Sequence, residues 1–185
     1  MNTEYPLILF EKKGFTFRQN RVNNYEVVLE IENQNISLDK IVDFPLIKLI
    51  YDLNPDIYLE SKIQKISEDE AEASVLLKHL FEDIGLKQNY SFINIKKKVE
   101  DDCITFLSTI IEDRRPEWIP EHAVLTQLKN IECVCKIITP NHLNITFNIL
   151  LNKDRLKLPL FVQKMLGQIL NKIFIRVKQF IENIT

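Results

Sequence analysis

Glycine is scarce in this 185-residue chain. Gly14, Gly85 and Gly167 are its three glycines, too few and too scattered to form a glycine-rich loop around a phosphate. Cysteine is scarce as well and odd in number: Cys103, Cys133 and Cys135 have neither the paired spacing of a zinc site nor that of a disulfide framework. They are expected to be small buried residues kept reduced, in a reducing intracellular compartment. Long apolar runs are lacking. The N-terminal MNTEYPLILFEKKG has five apolar residues in a row if Pro6 is counted, then charge, so neither a signal peptide nor a membrane span is expected there. An excess of one charge is lacking too: 24 basic against 26 acidic side chains leave a net charge of −2, which exerts no overall pull toward nucleic acid or anionic lipid.

Catalytic wiring is also missing. His79, His122 and His142 lie far apart in sequence, and nothing resembles a Ser-His-Asp or Cys-His nucleophile. Cys133 and Cys135 share one side of a strand and His142 opens the paired strand, but no fourth ligand has suitable spacing for a metal. Paired carboxylates occur only in turn-like runs, Glu68 to Glu72 and Glu100 to Asp102, where solvent keeps them ordinary. Lys96, Lys97 and Lys98 form a basic run without stacking aromatics beside it, a poor nucleic-acid surface. No catalytic residue, metal ligand or cofactor is therefore assigned.

What is present is periodicity. From Leu158 to Ile184 apolar residues fall in pairs one turn apart, Phe161/Val162, Met165/Leu166, Ile169/Leu170 and Ile173/Phe174, then Val177, Phe180/Ile181 and Ile184. The spacing predicts an amphipathic helix of roughly 38 Å with Pro159 in its first turn. Such a stripe needs a partner surface of similar length. The preceding hundred residues supply one. Tyr25 to Glu32 alternates with Val27, Leu29 and Ile31 to one side, and Leu143 to Leu151 alternates with Leu143, Ile145, Phe147, Ile149 and Leu151 to one side. Between them the pattern predicts a helical segment over 38–53, capped by Ser37 and interrupted by Pro45. Strands are expected at Ile57 to Ile66, Glu72 to Phe81, Tyr90 to Val99, Cys103 to Ile111 and Ile131 to Ile138, with a strand extension at Ala123 to Leu128. Leu7 to Phe10 and Gly14 to Phe17 read as a small N-terminal hairpin or edge addition within residues 1–24. The whole chain, 1–185, fits one domain.

The order strand, short helices, long antiparallel meander and closing helix resembles the START-like superfamily, the helix-grip or SRPBCC-type fold of lipid-transfer, polyketide-cyclase and coenzyme-binding proteins. Two stretches carry the resemblance: ISLDKIVDFPLIKLIYDLNPDIYLESKIQKI and LNITFNILLNKDRLKLPLFVQKMLGQILNKIFIRVKQFIE. The second is also similar to an uncharacterised START-like family of cyanobacterial and plastid proteins. An abundance of isoleucine, asparagine and lysine, with Lys outnumbering Arg 18 to 6, reads as the codon bias of an AT-rich genome, so a plastid stroma or a virus-infected cytoplasm would suit it.

The resemblance implies an α+β fold in which a curved antiparallel sheet wraps a long C-terminal helix, with a cavity between them for a hydrophobic small molecule such as a lipid, pigment or isoprenoid. Ligand-lining residues would be Phe147 and Ile149 on the last strand, Met165 and Ile169 on the helix, and Trp118, the sole tryptophan, at the mouth. Trp118 lies in the irregular segment 112–122, stiffened by Pro116 and Pro120 and accompanied by Arg114, Arg115, Glu117 and His122. The same residues also fit a protein with a filled core that acts as an assembly factor or subunit. Its contacts would be Trp118 and the basic helix face, since 151–185 carry seven basic against two acidic residues. The alternative to both uses of Trp118 is that it folds back to cover an open edge of the core. An enzyme of the cyclase or hydratase kind ranks third because the inward positions are almost wholly apolar. Gly167, inside the helix, would reflect close approach to a strand, a slight bend, or drift.

Overall fold

The structure, a computed structural model, describes residues 5–79, 82, 85, 87–152 and 158–185. Three meanders follow one another along the chain. The first holds β1 (Leu7–Lys12), β2 (Phe15–Arg21) and β3 (Asn24–Glu32); the second β4 (Tyr58–Lys65), β5 (Glu70–Leu77), β6 (Asn89–Glu100) and β7 (Cys103–Ile110); the third β9 (Leu128–Thr139) and β10 (His142–Leu151). A two-residue β8 (Val124–Leu125) precedes the third. Helix α1 (Phe44–Asp52) links β3 to β4, and α2 (Leu160–Glu182) closes the chain. The sheet order is β1-β2-β3-β10-β9-β7-β6-β5-β4, antiparallel throughout. β8 alone runs parallel, pairing with Asn89 and Tyr90 of β6 where β7 no longer reaches. This open, curved sheet wrapped around α2 is the helix-grip architecture, α+β.

Several boundaries differ from expectation for local reasons. Pro45 starts a helix instead of interrupting one: Asp43 accepts the Phe44 N–H at 2.8 Å as N-cap, and proline in the first turn has no donor to lose. Ahead of it Leu38–Ile41 is a separate 3-10 turn, and the Ser37 hydroxyl bonds Asp39 instead of capping it. Pro159 is the N-cap of α2, whose 23 residues span about 34 Å. β5 ends at Leu77, and Phe81 lies outside the described residues, as do Lys153, Arg155 and Lys157.

β1 and β2 form one edge of the sheet and also carry core side chains, since Phe15 and Phe17 are buried. Helix α2 lies over this edge, against β1, β2 and β3, and touches α1 on its other flank. Gly167 makes the approach possible: a Cβ there would sit 2.7 Å from Phe10 Cβ and 2.9 Å from Phe17 Cδ1. Phe174 stacks on Phe15 at 6.4 Å and meets Phe147 at 4.6 Å between ring centroids. At the far end Asn33 Nδ2 donates to the carbonyls of Ile181 and Ile184 at 2.6 and 2.9 Å, occupying acceptors that the end of a helix leaves free.

On the α1 flank, buried Asn54 donates to the Ile50 carbonyl at 2.8 Å and accepts from Arg176 at 3.1 Å. Lys172 and Arg176 both grip Asp56. Their hydrogen bonds, Arg176 first, hold the Asp56 carboxyl well below the usual carboxylate range. A carboxyl with a lowered pKa in the folded state favours folding at any pH above its unfolded value, near 4, and loses that contribution as the pH falls through the folded value. We therefore expect Asp56→Asn to lower the melting temperature at neutral pH and to make the loss of stability below about pH 4 shallower. Parallel acid profiles for the two proteins would contradict this.

Candidate functional site

In an antiparallel ladder, registered partners point to the same face, so the concave surface can be read as rows running across the strands. One row is Phe15, Leu29, Ile145, Cys135 and Ile104. All five are buried. The next row runs Phe17, Val27, Phe147, Cys133, Phe106 and Lys97, and the one after it Gln19, Tyr25, Ile149, Ile131, Ser108 and Ile95. In each, a half-exposed stretch lies between buried residues: Phe147 and Cys133 between Val27 and Phe106, and Ile149, Ile131 and Ser108 between Tyr25 and Ile95. Exposure in the centre of a concave face, with buried neighbours on either side, makes this stretch the candidate floor of a hollow.

Its cause is the placement of α2. The helix leans on β1 to β3, and Phe174 reaches from it to Phe147 on β10. Leu166 and Ile169 are half-exposed on the helix above. Cys133 is half-exposed on this face, and its hydrogen bond with Cys135, the sulfurs 3.8 Å apart, and burial push its thiol well above the ordinary range. The centre of this face is largely apolar, with Ser108 and Cys133 as polar groups on it and Lys97, paired with Asp43 at 3.1 Å, at the β6 end of the Phe147 row.

Of the residues proposed from sequence, Phe147, Ile149 and Ile169 pack on the main interior cluster. Met165, one turn before Ile169, is 38% exposed. Trp118 is set apart. Register puts Ser74, Leu76, Tyr90 and Phe92 on the convex face, and Trp118 packs there, in a second cluster with Leu76, Tyr90, Phe92, Ile119 and Ala123. Its indole N–H donates to Ser74 Oγ at 3.2 Å, with Lys62 Nζ 4.8 Å above the ring. Arg114 and Arg115 stack over Phe92 and Tyr90 at 5.0 and 4.8 Å, pinning segment 112–122 to the outside of the sheet. The sequence signal that missed this is parity: nothing in a loop states which face it will cover.

Ile131, Cys133 and Ser108 were not singled out beforehand. Their alternation marks their face, but their exposure depends on where α2 lies. The metal site drawn from sequence does not assemble, because His142 lies on the convex face, 3.7 and 3.8 Å from Glu30 and Glu32, opposite the two thiols. The expectation of three buried cysteines needs correction. Cys135 alone is buried; Cys103 is half-exposed at the start of β7, on the convex face paired with Lys136. Iodoacetamide should accordingly modify Cys103 first, Cys133 slowly because little of it is thiolate, and Cys135 only on denaturation. Equal native rates for Cys103 and Cys133, read by peptide mass spectrometry, would contradict the enclosed position of Cys133.

No family model matches the chain, and no curated protein matches it in sequence. Solved structures do match. Human StAR-related lipid transfer protein 5 aligns with a TM-score of 0.73 at 13% identity, over 97% of this chain and 88% of that one. The STAR-related lipid transfer protein fragment from Xanthomonas axonopodis aligns at 0.66 and 9% identity, over 96% and 99% of the two chains. The lipid transfer and protein localization domain of human StarD13 aligns at 0.65 and 9% identity, over 92% and 84%. At these identities the likeness is one of fold: the chain has the START-like helix-grip fold. Among the described residues, no helix is long and apolar enough to cross a membrane.

Proposed function

We propose that the protein binds and carries a hydrophobic small molecule, held without chemical conversion between the concave sheet face and α2. The observation that carries this reading is the half-exposed centre of the concave face, Phe147, Ile149, Ile131 and Cys133, flanked by buried residues. Removing apolar surface from a water-filled hollow into contact with a ligand is favourable by roughly 25 cal/mol per Å². The one charged group in these rows, Lys97, is paired with Asp43 at 3.1 Å, and the half-exposed centre is otherwise apolar apart from Ser108 and Cys133, which favours carriage over catalysis. Lipid-transfer proteins of the same fold supply a precedent for such use.

A second reading has its own observation. Phe161, Met165 and Phe180 on α2 are 59%, 38% and 46% exposed, apolar surface suited to contact with a protein partner. Native mass spectrometry of gently purified protein, followed by denaturation, separates the two. A small molecule of lipid-like mass released on denaturation supports carriage. A stoichiometric protein partner with an empty hollow supports the second reading and overturns the first.

A further inference from the structure

We infer that Cys133 and Cys135 form a two-thiol site on the concave face that takes an apolar molecule carrying one trivalent, thiophilic centre, an organoarsenic(III) compound. The inference goes beyond the carrier reading and does not rest on it. The two residues are alternate members of β9, so their side chains share a face, and their sulfurs stand 3.8 Å apart. Two sulfurs bonded to one centre at about 2.3 Å each, the length of a zinc–thiolate bond and close to that of an arsenic–sulfur bond, also stand about 3.8 Å apart at a roughly tetrahedral angle. The pair is therefore set at the bite of a single atom. β9 lies inside the sheet: Cys133 is paired with Phe147 and Phe106, and Cys135 with Ile145 and Ile104, with no bulge between them. These ladders hold alternate residues about 6.6 Å apart along the strand, at the far end of the range that a disulfide spans, so the thiols stay close without bonding to each other. Cys133 is half-exposed and Cys135 buried, so the first bond forms at Cys133 and the second, deeper in the face, at Cys135.

The surroundings select the kind of centre. Among the described residues, no group of three or more His, Cys, Asp or Glu side chains could hold a metal ion, so an ion that needs four protein ligands is not served. Cys103 cannot add a third sulfur, because it lies on the convex face beside Lys136. A monosubstituted arsenic(III) needs only two sulfurs, since its third bond is to its own carbon. The neighbours of Cys133 across and along the strand are Phe147, Phe106 and Ile131, and Phe147 and Ile131 are half-exposed, an apolar bed for that organic group. Charge argues the same way. The hydrogen bond from Cys135 and burial keep the Cys133 thiol protonated, which disfavours a negatively charged thiolate complex, whereas the arsenic product is neutral. With an arsenoxide, one thiol adds across the As=O bond and its proton goes to the oxygen; the second thiol displaces that hydroxyl, which leaves as water with the second proton. Two S–H bonds and one As=O bond become two As–S bonds and one water, and the arsenic stays trivalent.

The test adds phenylarsine oxide to the folded chain in excess glutathione, a monothiol, and reads retained arsenic by intact-mass spectrometry. We expect wild type and Cys103→Ser to retain one equivalent, which the dithiol 2,3-dimercaptopropanol strips. Cys133→Ser and Cys135→Ser should each weaken retention at least about a hundredfold, because a lone thiol loses the advantage of a second attached ligand. A readout on wild type needs no variant: once the loaded protein is unfolded, iodoacetamide should modify Cys103 while Cys133 and Cys135 stay protected. No retention by wild type against glutathione, retention that survives the loss of either Cys133 or Cys135, or alkylation of all three cysteines in the unfolded loaded protein would overturn the inference. Binding of the uncharged dye N-phenyl-1-naphthylamine to unloaded wild type is measured alongside. Dye binding without arsenic retention overturns the inference and leaves the carrier reading standing; arsenic retention without dye binding supports the two-thiol site and counts against the carrier reading alone.

Discussion

Deleting residues 158–185 should abolish cooperative unfolding. Helix α2 fully buries Val162, Ile173, Phe174, Val177 and Ile181, and further apolar side chains pack beside them. At roughly 1.5–3 kcal/mol for each large side chain removed from water, these five alone match the 5–15 kcal/mol that typically separates a folded domain from its unfolded chain. The loss would also uncover Phe15, Phe17 and Val27, now under the helix or beside it. The expected result is a broad thermal transition, loss of near-UV circular dichroism and binding of hydrophobic dyes. A truncated protein that melts sharply with intact near-UV signal would place the core elsewhere.

The second large effect is expected at Gly167. Alanine is favoured over glycine inside a helix by about 1 kcal/mol, so on propensity alone Gly167→Ala would stabilise. Here the added Cβ would meet the Phe10 Cβ at 2.7 Å, an atom fixed to the β1 backbone that cannot swing aside. Either α2 lifts from the β1–β2 edge or β1 detaches. Overpacking of this kind costs about 1–3 kcal/mol, and Gly167→Val should cost more. Urea unfolding of the two variants reads the outcome. An alanine variant as stable as wild type would show that the contact relaxes freely.

The alternation at Val27, Leu29 and Ile31 and at Leu143 to Leu151 identified the concave face correctly, because a one-residue slip would have turned every one of those side chains to water. The stripe of α2 was legible for the same reason. It was too generous, however: Phe161, Met165 and Phe180 fall on its exposed flank, since a helix lying on three strands at one edge of a sheet buries a narrower stripe than a helix clasped all round. That displacement toward β1 is written in the side chain Gly167 lacks and in the rings of Phe10, Phe17 and Phe174, contacts between residues some 150 positions apart that no local pattern contains. The hollow follows from it. Phe147 and Ile149 could be named from the strand, while Cys133, Ile131 and Ser108 emerge only once the helix is placed. Trp118 was conspicuous in sequence, and its indole N–H and ring are satisfied on the opposite face by Ser74 and Lys62.

The hollow itself is tested most directly by filling it. Ile149→Trp adds an indole at the centre of the floor, where a packed core would reject it at a cost of about 1–3 kcal/mol and an empty space would accept it. Melting temperature and N-phenyl-1-naphthylamine binding are measured on the same samples. An unchanged or raised melting temperature together with lost dye binding is the predicted result. A lowered melting temperature with dye binding unchanged would contradict it and show that the centre of the concave face is already full.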